Sequence, residues 1–170
     1  MWLDLRELIE IPGAVKPFRT ALDESRLLGP AVAGFSTPPE AEGEVRNTAG
    51  VLDLTATIRA GARCVCDRCG TEFDRGVVME VKAPLAADLE DADNFDGFAL
   101  EGDGVDVADV LETCFILNAE MKCLCRPDCK GLCPACGKNL NEGACSCAKP
   151  MDPRFAVLGQ LLDKNEEMKD

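Results

Sequence analysis

Apolar and polar side chains alternate with a period of two between residues 51 and 60. Leucine, isoleucine and alanine occupy the even positions, and Asp53, Thr55, Thr57 and Arg59 occupy odd ones. This alternation predicts a strand with one buried face. We expect a hairpin turn from Asn47 to Gly50 and a break or bulge at Ala60-Gly61. With a further strand over Phe73–Leu85, the pattern indicates an antiparallel meander.

The segment before residue 42 has a weaker pattern. Residues 2–11 alternate imperfectly, which fits a strand or a short helix ending at Pro12-Gly13. A strand is predicted over Val15–Thr20. The prolines and glycines that follow predict a connecting loop up to about residue 40.

Two segments have helical spacing of apolar residues. Asp106 is a good N-cap for a helix over residues 107–119, which should pack on the sheet. In MDPRFAVLGQLLDK, Asp152 would cap a second helix and Pro153 would occupy its first position.

Acidic residues dominate the first two-thirds of the chain. Residues 1–119 carry 23 acidic and 10 basic side chains, whereas residues 120–170 carry eight of each. Between Leu85 and Thr113 ten Asp or Glu occur without any Lys or Arg, as in a solvated loop. Phosphate backbones are bound through Lys and Arg, so a large nucleic-acid surface on residues 1–119 is not expected.

The compartment bears on the chemistry of the eleven cysteines. The first fifteen residues include Asp4, Arg6, Glu7 and Glu10, unlike the unbroken apolar stretch of a secretory signal. No apolar run approaches the length of a membrane span. We therefore expect a cytoplasmic protein whose thiols stay reduced.

Six cysteines lie in the segment CRPDCKGLCPACGKNLNEGACSC, and the chain has no histidine. Cys133-Pro-Ala-Cys136-Gly has the spacing of a zinc knuckle, and a closed all-cysteine site is typical of structural zinc. We expect one zinc ion held by Cys129, Cys133, Cys136 and Cys147, with Cys145 and Cys125 as replacements. The alternatives are an iron–sulfur cluster and a thiol switch.

A second C-x2-C-G motif occurs at Cys66 and Cys69, at the end of a predicted strand. It is either a reduced pair at a turn or half of a second metal site completed by Cys123 or Cys125. Thioredoxin-like redox work would require a βαβ setting, which the predicted meander does not supply. Cys114, on the apolar face of the first helix, is expected in the core.

The predicted fold class is α+β. Residues 1–119 would form an acidic antiparallel β-meander or partly closed barrel with a packing helix. Residues 120–170 would form a zinc-ribbon-like module and a short helix. We find no nucleophile elbow, phosphate loop or dinucleotide-binding motif, and expect no enzyme activity.

The chain resembles the YceD family of large ribosomal RNA subunit accumulation proteins. The resemblance is carried by Cys66-Asp-Arg-Cys69, VADVLETCFILNAEMK, DCKGLCPACGKNLN and Asp152-Pro-Arg154, over roughly residues 50–162. It implies a non-enzymatic role in accumulation or maturation of large-subunit ribosomal RNA. It also supports Cys129, Cys133 and Cys136 as ligands, with Cys145 and Cys147 in the closing pair.

The expected partners are precursors of the large ribosomal subunit, contacted through basic ribosomal proteins or rRNA, without a membrane or a small-molecule substrate. We expect the zinc module to present a recognition surface made of Lys138, Asn139, Asn141 and Arg154. The alternative functions are a zinc-dependent thiol redox sensor or chaperone, and a zinc-ribbon accessory to transcription.

Overall fold

The computed structural model describes residues 1–29, 32–86, 97–120 and 122–147. Its main feature is a five-stranded sheet, whose strands lie side by side in the order β2 (Val15–Ala21), β3 (Val32–Thr48), β4 (Val51–Val65), β5 (Glu72–Ala86) and β6 (Phe98–Ala99). The strands β2 to β5 pair antiparallel, and the short β6 joins β5 in parallel.

Smaller elements lie around the sheet. Residues 2–11 form both of the elements considered for them, a strand and then a helix. A two-stranded ribbon pairs β1 (Trp2–Asp4) with β7 (Gly104–Asp106). The three helices of the described part are α1 (Arg6–Glu10), α2 (Glu24–Leu27) and α3 (Val107–Asn118). None of them is long and apolar enough to cross a membrane.

The strand predicted from the period-two pattern and the further strand over Phe73–Leu85 are confirmed as β4 and β5. In β4 the even-numbered side chains from Leu52 to Cys64 are buried, and the odd-numbered ones are not. The β3–β4 hairpin turns through Ala49 and Gly50, which both have positive φ (54° and 96°), as in a type I′ turn. Asn47 Oδ1 accepts a hydrogen bond from the Gly50 N–H at 2.8 Å and supports that turn.

The prediction of a connecting loop up to about residue 40 is wrong, because β3 already begins at Val32. Pro38 and Pro39 fit into this strand at a register shift between Thr37 and Glu40, opposite the single residue Ala60 of β4. The pairing of β2 with β3 ends at Ala21↔Glu40, and just beyond it Pro39 O accepts from the Leu22 N–H at 2.9 Å. Both prolines lie at a bulge and past the end of that pairing, where a strand tolerates a missing N–H group. The bulge expected at Ala60-Gly61 therefore lies in β3, and β4 runs through it.

The core forms between the inner face of the sheet and the helices. Its fully buried side chains include Leu5, Leu54, Ile58 and Leu111. The helix α3 has the bounds expected for it within one residue, and its N-cap Asp106 accepts from the Ala108 and Asp109 N–H groups. Cys114 lies in this core, as expected.

Within the described residues, the sheet does not close into a barrel, since β2 and β6 are its edges. The meander is therefore confirmed and the partly closed barrel is not. The division at residues 119 and 120 and the ribbon character of the cysteine-rich segment remain predictions. The helix expected after Asp152 and much of the acidic segment lie outside the described residues.

Candidate metal centres

Eight cysteines form two groups of four. Within each group all four Sγ atoms lie within 4.8 Å of one another. Site 1 consists of Cys66, Cys69, Cys125 and Cys129. Site 2 consists of Cys133, Cys136, Cys145 and Cys147.

One half of each site is a C-x2-C-G turn with the same hydrogen bonds. At site 1 the Cys66 N–H donates to Thr71 O (3.0 Å) and the Gly70 N–H donates to Cys66 O (2.8 Å). At site 2 the Cys133 N–H donates to Lys138 O (2.8 Å) and the Gly137 N–H donates to Cys133 O (2.8 Å). Gly70 and Gly137 have φ of 69° and 73°, a conformation that favours glycine. The two motifs therefore form the same knuckle.

The sulfur distances fit a tetrahedral metal ion. Cys66 Sγ and Cys129 Sγ are 3.8 Å apart, and Cys69 Sγ and Cys125 Sγ are 3.7 Å apart. A Zn–S bond of about 2.3 Å places the sulfurs of a tetrahedron about 3.8 Å from one another. A disulfide bond would need about 2.05 Å, and all eleven cysteines are free thiols. Site 1 therefore has the spacing of a four-thiolate zinc site.

Site 1 takes its ligands from distant parts of the chain. Cys66 and Cys69 lie at the β4–β5 turn, whereas Cys125 and Cys129 follow α3. The Asp67 N–H donates to Cys123 O at 2.9 Å, and Asp67 Oδ2 accepts from the Cys123 N–H at 2.6 Å. The Arg68 guanidinium donates to Cys129 O at 2.8 Å. These contacts hold the segment after α3 against the end of the sheet.

Backbone N–H groups favour the thiolate form at the first cysteine of each knuckle. Burial raises the pKa of Cys66, but N–H groups of Cys125, Cys69 and Arg68 outweigh it and lower the pKa to about 6. The Cys136 and Ala135 N–H groups lower the pKa of Cys133 to about 6. Since the thiolate is the form that binds a metal ion, each knuckle is prepared for one.

One cysteine in the other half of each site has a raised pKa in the absence of metal. Burial, with hydrogen bonds to Cys66 and Cys69, raises the pKa of Cys125 to about 12. The hydrogen bond to Cys136 raises the pKa of Cys147 to about 12. Four adjacent thiols cannot all become anions without a cation among them. A divalent cation would displace these protons and balance the charge.

The two sites differ in access to solvent. Cys66, Cys69 and Cys129 of site 1 are buried and Cys125 is partly buried. At site 2 only Cys133 is buried, and Cys136 and Cys147 are exposed. A chelator or an oxidant can therefore reach site 2 more easily than site 1.

The structure distributes the expected ligands differently from the sequence-based set. Cys129 lies in site 1, not with Cys133, Cys136 and Cys147, and Cys145 completes their group. Cys125 also belongs to site 1. Cys129 is held there by close contact with Cys66 Sγ and by a hydrogen bond from Asn141. The expectation of a single ion accordingly gives way to two groups that could each hold one.

The sequence left Cys123 and Cys125 as candidates to complete a metal site with Cys66 and Cys69. In the structure Cys125 lies beside these two residues, and Cys129 is the fourth member of the group. Cys123, the other candidate, packs instead with Cys64 and Ala62 in a small buried cluster. Sequence reasoning missed the pairing of Cys66-Cys69 with Cys125-Cys129 as a four-thiol set. The available signal was the repeated C-x2-C-G motif, because each copy needs a second pair.

The residues expected at a recognition surface have internal contacts. Lys138 Nζ donates to Ala144 O at 3.0 Å. Asn139 Oδ1 accepts from the backbone N–H and the side chain of Asn141 (3.1 and 2.9 Å). These residues shape the loop of site 2, and their contact with a partner remains a prediction. Arg154 lies outside the described residues.

A comparison with protein-family models matches the chain to the family described as "Large ribosomal RNA subunit accumulation protein YceD". The match covers residues 54–162, which is more than half of the chain and includes all eight cysteines of the two sites. No curated protein and no solved structure matches the chain significantly.

Proposed function

We propose that this chain, which belongs to the YceD family, promotes the accumulation or maturation of large-subunit ribosomal RNA as a non-enzymatic assembly factor. The family match carries this proposal, since the family's description names the process. The proposed compartment is the cytoplasm, in which thiols remain reduced.

The cysteine sites would support this function structurally. Zinc fits both groups, because closed four-thiolate sites are typical of structural zinc and the sulfur distances of site 1 match its tetrahedron. Cys66, Cys69, Cys125 and Cys129 would hold one ion, and Cys133, Cys136, Cys145 and Cys147 the other. Zinc bound there supplies folding free energy and charge balance.

Charge favours a protein partner for the acidic part of the chain. Residues 1–119 carry 23 acidic and 10 basic side chains. The excess does not come from the outer face of β3, where Glu40, Glu42 and Glu44 each pair with an arginine. The chain as a whole has a formal net charge of −13. Such a field attracts basic proteins and repels phosphate backbones. We therefore propose basic ribosomal proteins in the precursor of the large subunit as the partners of residues 1–119.

The test is a deletion followed by complementation. Cells without the gene should accumulate fewer free and mature large subunits in a sucrose gradient, and the wild-type gene should restore them. Cys69→Ser should fail to restore them because it removes a ligand of site 1. Cys114→Ala, which removes a core thiol outside both sites, is the matched control. A normal subunit profile in the deletion strain would contradict the proposal.

The exposure of Cys136 and Cys147 favours one alternative, a thiol redox sensor. A sensor requires that mild peroxide release zinc from site 2 and change the subunit profile. An unchanged profile, with zinc already lost from site 2, would eliminate this alternative and leave the assembly role in place.

A further inference from the structure

The loop between the two cysteine pairs of site 2 lies against site 1. Asn141, in this loop, donates from Nδ2 to Cys129 Sγ at 3.3 Å. Its Oδ1 accepts from the Lys130 N–H at 2.8 Å. A residue of the site 2 loop thus hydrogen-bonds a sulfur ligand of site 1 and the backbone next to it.

The short connection from Cys129 to Cys133 is held on both sides. Its Leu132 N–H donates to Arg68 O at 3.0 Å, within the knuckle of site 1. Its Gly131 O accepts from the Leu140 N–H at 2.9 Å, within the loop of site 2. Leu132 and Asn139 also form an isolated β-bridge. The position of Cys133 therefore depends on contacts that begin at site 1.

The two sites differ in what positions them before metal arrives. The knuckle of site 1 is anchored by β4 and β5, which pair as far as Cys64↔Phe73 and Val65↔Glu72. Both halves of site 2 come from residues 133–147, which in the structure form only turns and an isolated bridge. Site 1 is therefore the better preorganised of the two.

We propose that the two sites fill in a fixed order, site 1 before site 2, and that Asn141 is the positioning residue that couples them. The proposal rests on the metal-binding part of the proposed function and is independent of any role in ribosome assembly. Metal at site 1 fixes Cys129 and, through Asn141 and Leu132, places the first ligand of site 2. By linkage, metal at site 2 strengthens site 1 by the same factor.

The first test compares metal content in two single variants of the full chain. The proteins are loaded with Zn²⁺, equilibrated with a chelator that leaves two ions on the wild type, and assayed by mass spectrometry. Cys136→Ser should retain one ion, because site 1 does not need site 2 to form. Cys69→Ser should retain well under one ion. Retention of one ion by each variant would overturn the order.

The second test separates coupling from a local effect on the loop. With site 1 filled, Asn141→Ala should weaken Zn²⁺ binding at site 2 by about tenfold, within the usual range of coupling between two binding sites. In the Cys69→Ser background, where the affinity of site 2 is measured by titration up to saturation, the same change should have little effect on that affinity. An equal loss in both backgrounds would show that Asn141 acts only within its own loop and would overturn its coupling role.

Hydrogen exchange in the wild type provides a measurement that needs no variant. When a chelator is added, the Gly137 N–H should lose protection before the Gly70 N–H, since each is bonded within the knuckle of its own site. Simultaneous loss, or earlier loss at Gly70, would contradict the order. None of these results depends on the ribosomal phenotype, so failure of this inference and failure of the proposed function are distinguishable.

Discussion

Site 1 should stabilise the sheet, whereas site 2 should not. The cysteines that site 1 brings together are far apart in the sequence: Cys69 and Cys125 are separated by 56 residues, and Cys66 and Cys129 by 63 residues. If a metal ion constrains the unfolded chain as a cross-link does, closing a loop of about 60 residues contributes ~4 kcal/mol. The loop closed by site 2, of roughly a dozen residues, would contribute ~3 kcal/mol, but only to its own segment.

The perturbation is the loss of one ligand at either site in the zinc-loaded chain. Cys69→Ser should lower the melting temperature of the sheet by about 15 °C, the shift that corresponds to ~4 kcal/mol in a domain of this size. Cys136→Ser should lower it by only a few degrees. Far-UV circular dichroism follows the sheet, and the fluorescence of Trp2, the single tryptophan, follows the β1–β7 ribbon. Equal melting temperatures for the two variants would refute the reasoning.

Three further predictions concern the sheet and its helices, and urea unfolding measures each of them. Asn47→Leu should cost about 3 kcal/mol, because Asn47 is buried and its side chain donates to Leu8 O and Ile9 O (2.7 and 3.1 Å). Gly43→Ala should cost about 3 kcal/mol, since an added Cβ would lie 2.2 Å from Thr55 O, whereas Gly34→Ala, with open space, should be nearly neutral. Glu112→Gln should cost about 1 kcal/mol by removing the 2.6 Å ion pair between the buried Glu112 and Arg26, while an amide oxygen can still accept from the Asp23 N–H. A loss at Gly34→Ala as large as that at Gly43→Ala would contradict the steric argument.

Local patterns in the sequence predicted the elements that depend on local rules. The alternation in β4 and the N-cap of α3 are encoded within a few neighbouring residues, and both were confirmed. The start of β3 was missed, because Pro38 and Pro39 resemble a loop unless the neighbouring strands are known. A proline costs a strand its ladder hydrogen bond only where a partner lies on its N–H side. That information is absent from the local sequence.

The ligand sets illustrate the same limit for the metal centres. Spacing identifies Cys66-Cys69 and Cys133-Cys136 as knuckles, because the two ligands of a knuckle are neighbours in sequence. The second pair of a site is chosen by distance in space, and Cys129 is only four residues from Cys133 but belongs with Cys66. Cys129 joins Cys66 because the β4–β5 turn packs against the segment after α3. The distance between residues in the sequence cannot indicate that these two segments are in contact.

Charge and metal chemistry divide the chain in different places. The acidic excess ends near residue 119, yet site 1 takes two ligands from each side of that position. Asp67, from the acidic side, forms two hydrogen bonds with Cys123, and Arg68 bonds the backbone of Cys129. The β4–β5 turn therefore packs with the cysteine-rich segment in space, although along the chain it lies between two strands of the sheet. A partner that recognises the cysteine-rich segment should consequently bind with an affinity that depends on the cysteines of site 1, even where it contacts only site 2.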